Sequence, residues 1–266
     1  MSDASAVDVA LVQFRADPGD VTSNVARLVE HVAAQGRDAD LVVAPELATT
    51  GYSLELLRDR GVELAETPEG PSLAAFTKVC ADTDTTLVVG FLERERDLLY
   101  DSVATITPNH EVAVYRKTHL YPAEVASFAS GEHLRPVVTP AAVIGPMICF
   151  EHAFPEIATT LALAGAQVLV IPSAVAVGFE YLLSLRSRAR AQDNQVFVMA
   201  ANLTGHGFCG GSLIADPRGD VLATAAAEEV VLRASLDLDS VQRERAQEPA
   251  LRMRRPELYA RSGERG

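Results

Sequence analysis

Three side chains with complementary chemistry each end an apolar run: Glu46 ends LVVAPE, Lys117 ends VAVYRK and Cys149 ends VIGPMIC. Such runs read as strands, and strand ends on one edge of a sheet converge where ligand sites collect. The chemistry that the three allow together is acyl transfer. A thiol needs a base to become a nucleophile, and a carboxylate shielded from water has its pKa raised enough to accept and return that proton. A lysine beside the reacting carbonyl, with the backbone N–H after the cysteine, would hold the oxyanion of a tetrahedral intermediate. No histidine is required. Alone, Cys149 reads as a small buried hydrophobe, since free cysteines are among the most buried residue types. Glutamates and lysines at strand ends are commonplace too.

The elements that must position these groups are legible in outline. Residues 141–157, AAVIGPMICFEHAFPEI, read as strand, cysteine, tight turn and a helix opened by Pro155-Glu156. Upstream, residues 8–14 form a strand, and Thr22-Ser23-Asn24 cap a helix that buries Val25, Leu28, Val29 and Val32 and closes at Gly36. Residues 41–44 form a short buried strand before Pro45-Glu46. A helix from Pro71 buries Leu73, Phe76, Val79 and Cys80, and strands follow at 86–93, 100–107 and 111–116 around a Pro108-Asn109-His110 turn. Residues 117–135 lack periodicity, and a loop of that length inside a compact domain is usually functional. Beyond the helix through Ile157, Leu161 and Ala164 to Gly165 come a strand at 168–171, a helix at 181–192 and a strand at 195–202. A hairpin at 211–225 around Asp216-Pro217-Arg218-Gly219 and a strand at 230–236 complete the pattern. Strand, helix, strand, helix and meander thus occur roughly twice, which predicts an α/β domain with mixed sheets over residues 1–245.

Composition bounds the function. The 266 residues hold no apolar run near the roughly 20 residues that a membrane span needs. An acidic, strand-like N-terminus does not read as a signal peptide, and the expected location is the cytoplasm. A net charge of −13 repels nucleic acid and acidic membrane surfaces, so neither is an expected partner. Cys80, Cys149 and Cys209 show no metal spacing, and their odd number argues for reduced thiols. The one basic concentration is the tail, 246–266, where Arg252, Arg254, Arg255, Arg261 and Arg265 alternate with Glu248, Glu257 and Glu264. It reads as a solvated or subunit-contacting tail.

Other catalytic signatures are absent: the chain has no HExxH, GxSxG or Walker A sequence, and no metal or cofactor is expected. Gly205–Gly210, GHGFCG, matches GxGxxG literally, but it leads into a strand rather than a helix, so the dinucleotide reading fails on context.

APELATTGY, YRKTHLYPAE and GPMICFEHAFPE, in that order, resemble the three signature blocks of the nitrilase superfamily, the carbon-nitrogen hydrolases, with further similarity at RARAQDNQVFVMAAN and GGSLIADPRGDVLA. The resemblance spans about residues 6 to 240. It implies a four-layer α-β-β-α sandwich with two mixed sheets, assembled into homodimers or larger homo-oligomers through its outer helices. It also implies a catalytic triad of Glu46, Lys117 and Cys149, with Glu124 ordering the lysine and helping to position the substrate. Tyr52 and Phe150, which flank two of the blocks, and Ser173 and Ala174, after the strand at 168–171, are the expected substrate contacts. Core or rim packing is the alternative for the two aromatics. His119 is expected to be structural.

The implied reaction is cofactor-free hydrolysis of a small linear amide through a cysteine thioester. Glu46 serves as proton carrier, and Lys117 with the Phe150 N–H steadies the oxyanion. Within the superfamily the chain resembles the small aliphatic amidases, including those acting on ω-amino amides such as 5-aminopentanamide. Ala153 replaces the polar residue usual there. Cys149-Phe150-Glu151-His152 is also close to the Cys-Trp-Glu-His of nitrilases, although the longer C-terminal segment usual in those enzymes is missing. Amidase, nitrilase and N-carbamoyl amine hydrolase therefore all stand as readings, with a non-enzymatic interaction module as the fourth.

Overall fold

Successive residues of the first strand, Ala6–Gln13 (β1), belong to different cores. Val9 and Leu11 join one apolar cluster, and Ala10 and Val12 join another. Side chains alternate across a strand, so one buried on both faces needs a layer on each. The computed structural model, which describes residues 6–259, supplies them. Helices cover one face of β1 and a second sheet covers the other, giving the expected four-layer α-β-β-α sandwich with two mixed sheets.

After β1 come α1 (Val21–Gln35), β2 (Leu41–Val43), α2 (Leu54–Leu64), α3 (Pro71–Thr83), β3 (Thr86–Glu95), β4 (Leu98–Ile106) and β5 (Val112–Arg116). The second half holds β6 (Val137–Val138), β7 (Val143–Pro146), a 3-10 turn (Cys149–Ala153), α4 (Pro155–Leu163), β8 (Val168–Ser173), α5 (Glu180–Asn194) and β9 (Phe197–Asn202). A small hairpin, β10 (Thr204–Gly205) and β11 (Phe208–Cys209), precedes β12 (Leu213–Ala215) and β13 (Val221–Thr224). The chain then runs through β14 (Val230–Asp237), α6 (Asp239–Gln247) and α7 (Pro256–Tyr259). Sheet orders are β14-β1-β2-β3-β4-β5 and β13-β12-β9-β8-β7-β6.

The two halves repeat one plan. β1, β2 and β3 run parallel before β4 and β5 turn antiparallel. In the same way β7, β8 and β9 run parallel before β12 and β13 turn back. α1 and α3 cover the first sheet through Leu28, Val32, Leu73 and Phe76, and α4 and α5 cover the second through Ile157, Leu161, Leu183 and Ala191. β14 pairs antiparallel with β1, Ala6 opposite Asp237 and Gln13 opposite Val230, so the last strand joins the first sheet.

Several local expectations are corrected. Asp20, not the Thr22-Ser23-Asn24 run, caps α1 by accepting from Ser23 N–H at 3.1 Å. Asn24 is instead fully buried, its amide bridging the Asp17 and Thr49 carbonyls at 2.8 and 3.1 Å. The strand before Cys149 stops at Pro146, and Cys149 opens the 3-10 turn. α2 was not anticipated. Its cap, Ser53, and its buried Leu57 and Leu64 are visible in the sequence, but Gly61 interrupts the pattern between them. α6 escaped because it buries only Val241. It is held by Gln195, whose amide donates to the carbonyls of Glu244 at 3.3 Å and Glu248 at 2.7 Å. In the tail Arg255 pairs with Glu257 at 2.8 Å, and Arg261, Glu264 and Arg265 lie outside the described residues.

Candidate active site

Glu46 reaches the edge of the first sheet just past β2, and β3 fixes its backbone. Ala44 N–H donates to the Val88 carbonyl at 2.8 Å, and Gly90 N–H to the Pro45 carbonyl at 3.0 Å. A Cβ on residue 90 would stand 2.4 Å from the Pro45 oxygen and 2.6 Å from Glu46 Cα, so only glycine permits this approach. Leu47, the next residue, is turned into the left-handed region at φ 43°. For a bulky side chain that costs on the order of 1–3 kcal/mol and persists only where the surroundings dictate it.

Lys117 follows β5, pinned on both sides. Its N–H donates to the Asp101 carbonyl at 2.9 Å, and its carbonyl accepts from Gly131 N–H at 2.8 Å. The ammonium lies among three buried carboxylates, 2.6 Å from Glu46 Oε1, 2.8 Å from Glu124 Oε1 and 3.0 Å from Asp101 Oδ2. Oxygens of these three acids lie within 4.8 Å of one another, a spacing suited to a metal ion, and Lys117 Nζ is the cation among them. Burial disfavours its charge, but Asp101, Glu46, Cys149 and Glu124 together hold its pKa well above the ordinary lysine value. The pKa of Glu46 also moves up, which for an acid favours the neutral form. Burial raises its pKa well above the carboxylate range, Asp101 and Glu124 push it further, and Lys117 only partly offsets them. Glu46 Oε2 makes no hydrogen bond among the described residues.

Cys149 also sits in the left-handed region, at φ 43°. A non-glycine residue held there at a strand-to-helix junction is the kind of backbone outlier that clusters at functional sites. The first N–H groups of a helical turn have no partner within it; the Glu151 N–H is taken by the Ile148 carbonyl at 3.0 Å, so the Phe150 N–H is the one after Cys149 that an oxyanion could use. Burial and the Glu46 charge raise the thiol pKa, while Lys117 and the Ala174 backbone N–H favour the thiolate. The resting group is therefore a thiol whose ionisation depends on its neighbours. Cys80 and Cys209, also free, are pushed up by burial to about 12 and about 11.

Of the other expected residues, Glu124, Tyr52 and Ala174 meet this centre. Glu124 is buried, bridging Lys117, the Tyr52 hydroxyl at 2.7 Å and the Tyr121 N–H at 2.7 Å. Tyr52 thus meets the charged cluster at one end and the Phe208 ring at the other, with centroids 5.9 Å apart. Phe150 is half-buried, edge-on to Tyr121 and to Phe154, each at 5.3 Å. Ala174 contributes its N–H beside the thiol. Ser173 is fully buried, and its hydroxyl donates to the Ile171 carbonyl at 3.0 Å. His119 is exposed, bonded to the Thr118 hydroxyl at 2.8 Å and packed on Phe154 at 4.5 Å. GHGFCG forms the β10–β11 hairpin that carries Phe208.

Asp101, not anticipated as a site residue, is the third acid on Lys117. It sits in β4, and the available signal was an acid in a mostly apolar strand, LLYDSVATI. A surface cavity of about 860 Å³, lined by Tyr100, Arg116 and Val138 among others, includes none of Glu46, Lys117, Glu124 and Cys149.

Residues 8–246 match the carbon-nitrogen hydrolase family. The chain is 32% identical to an (R)-stereoselective amidase from a Pseudomonas species, over 93% of this chain and 91% of that protein. It is 35% identical to a nitrilase of Pyrococcus abyssi, over 96% and 100% of the two chains. The crystal structure of a carbon-nitrogen hydrolase from Helicobacter pylori G27, 24% identical, superposes with a TM-score of 0.90 over 98% of this chain and 99% of that one, showing the shared fold. The chain belongs to the carbon-nitrogen hydrolases of the nitrilase superfamily.

Proposed function

We propose that the protein hydrolyses small linear amides to carboxylate and ammonia through a thioester on Cys149. The observation that carries the reading is the Lys117 ammonium held between Glu46 and Glu124 in a buried site, with the Cys149 thiol within reach of both the Glu46 and Lys117 charges. Glu46, with a raised pKa, accepts the thiol proton as Cys149 attacks the amide carbon. The oxyanion forms against Lys117 and the Phe150 N–H, and preorganised donors of this kind are worth the most where water is excluded. Glu46 returns the proton to the departing ammonia, then activates the water that cleaves the thioester. Tyr52, Phe150 and Ala174 line the acyl side of the site, and Ser173 supports it from β8.

A nitrilase or an N-carbamoyl amine hydrolase would use the same groups, and relatives named amidase and nitrilase fit both leading versions. A panel of small amides, nitriles and N-carbamoyl amines, assayed with purified protein for ammonia and carbon dioxide, separates the three. Ammonia from the amides alone supports the reading. Release from nitriles alone, or carbon dioxide with ammonia, replaces it. In this reading the chain works as a homodimer or larger homo-oligomer. Leu163, Tyr181 and Leu185, apolar and exposed on α4 and α5, support that, as does the tail with its exposed Met253. Light scattering gives the mass.

A further inference from the structure

Glu151 is a buried carboxylate that this mechanism leaves unused, and it lies between the segments that carry Cys149 and Lys117. Its Oε2 accepts from the Ile148 N–H at 2.6 Å, while its own N–H donates to the Ile148 carbonyl at 3.0 Å. These two bonds bracket Cys149 and its left-handed backbone. Oε1 faces the other segment. It accepts from the Thr118 N–H at 2.8 Å, the Thr118 hydroxyl at 2.6 Å, the Tyr115 hydroxyl at 2.7 Å and the His119 N–H at 3.3 Å. Tyr115, Thr118 and His119 flank Lys117 on both sides. One carboxylate therefore ties the nucleophile turn to the lysine segment, with donors on both of its oxygens.

We infer that Glu151 is a positioning residue, setting the placement of Lys117 relative to Cys149 for the proposed cysteine-dependent hydrolysis, on which this inference rests. An isosteric amide would turn an NH₂ toward groups that are themselves donors, and one of the two links would open. With Lys117 withdrawn, the thiol loses the charge that favours its ionisation and the oxyanion loses a donor.

The test uses Glu151→Gln, Tyr115→Phe, Thr118→Val and the hydroxyl-retaining Thr118→Ser. Two readouts are taken on protein shown to be folded by circular dichroism. The first is the rate of Cys149 alkylation by iodoacetamide against pH, mapped by peptide mass. The second is kcat and KM on an amide that the wild type hydrolyses. The expected result for Glu151→Gln and Thr118→Val is an alkylation inflection moved to higher pH and a kcat about tenfold lower with KM within about twofold. Thr118→Ser should behave as wild type. If Glu151→Gln does not fold, Thr118→Val and Tyr115→Phe decide. A wild-type inflection and kcat in the folded variants overturns the inference, as does a loss that only tracks the unfolded fraction. Alkylation needs no substrate, so a wild type inactive on every amide would sink the proposed function while leaving this inference testable.

Discussion

Lys117 Nζ donates to Glu46 Oε1 across 2.6 Å, and neither side chain is exposed to solvent. In the proposed mechanism this bond holds the base against the cation that steadies the oxyanion before substrate arrives. Removing the cation strands three acids in a dry site. Lys117→Met should lower kcat about a thousandfold, the upper range for loss of one oxyanion donor. It should also cost about 3–5 kcal/mol of stability, as for a broken buried ion pair. Ammonia assays and urea unfolding measure the two effects.

Asp101 acts on the base as well as on the lysine. Burial is the main cause of the raised Glu46 pKa, and Asp101 adds to it. The base must be ionised to work, so kcat/KM should fall on the acid side with an inflection above the ordinary carboxylate range. Asp101→Asn removes one contribution, and the inflection should move to lower pH. A pH–rate profile of the variant that leaves the inflection in place would contradict this assignment.

Gly90 carries no chemistry and still belongs to the site. Gly90→Ala would push a methyl group against the Pro45 carbonyl and Glu46 Cα, at 2.4 and 2.6 Å in the present backbone. The expected outcome is a loss of about 1–3 kcal/mol, the usual cost of overpacking, and an activity loss larger than the unfolded fraction explains, because the base is displaced. Comparing kcat with the thermal melt of the same sample checks it.

His152 supplies a pH dependence of stability separate from catalysis. Burial, with Arg186 and Arg190 beside it, lowers its pKa from 6.5 to about 3. Arg186 Nη1 lies 3.2 Å from its Nε2, and Nδ1 has no partner among the described residues. Below pH 6.5 the unfolded chain binds a proton that the folded chain refuses, so stability falls as pH drops from about 6.5 toward 3. The slope approaches about 1.4 kcal/mol per pH unit from this one group. Urea midpoints at pH 7 and pH 5 should converge in His152→Asn relative to wild type.

Much of this site is legible in the sequence. Glu46, Lys117 and Cys149 each end an apolar run, and a doubly buried strand admits few residues other than Val, Leu, Ile and Ala, so the runs mark the sheets plainly. Asp101 and Glu151 were harder to see. Each is a buried acid whose meaning comes only from what the tertiary fold sets opposite it, Lys117 for Asp101 and Thr118 for Glu151. α2 was hidden by Gly61, which breaks helical periodicity but leaves room for Leu99, whose Cδ1 would lie 2.8 Å from a Cβ there. α6 was hidden because it is held by hydrogen bonds from Gln195 to its carbonyls rather than by an apolar stripe.

The central claim is that Cys149 is the nucleophile. The most direct measurement is ammonia release by Cys149→Ala on an amide that the wild type hydrolyses, with folding confirmed by circular dichroism. The account predicts no release above the uncatalysed background from a protein that melts as the wild type does. Turnover by that folded variant at the wild-type rate would contradict it.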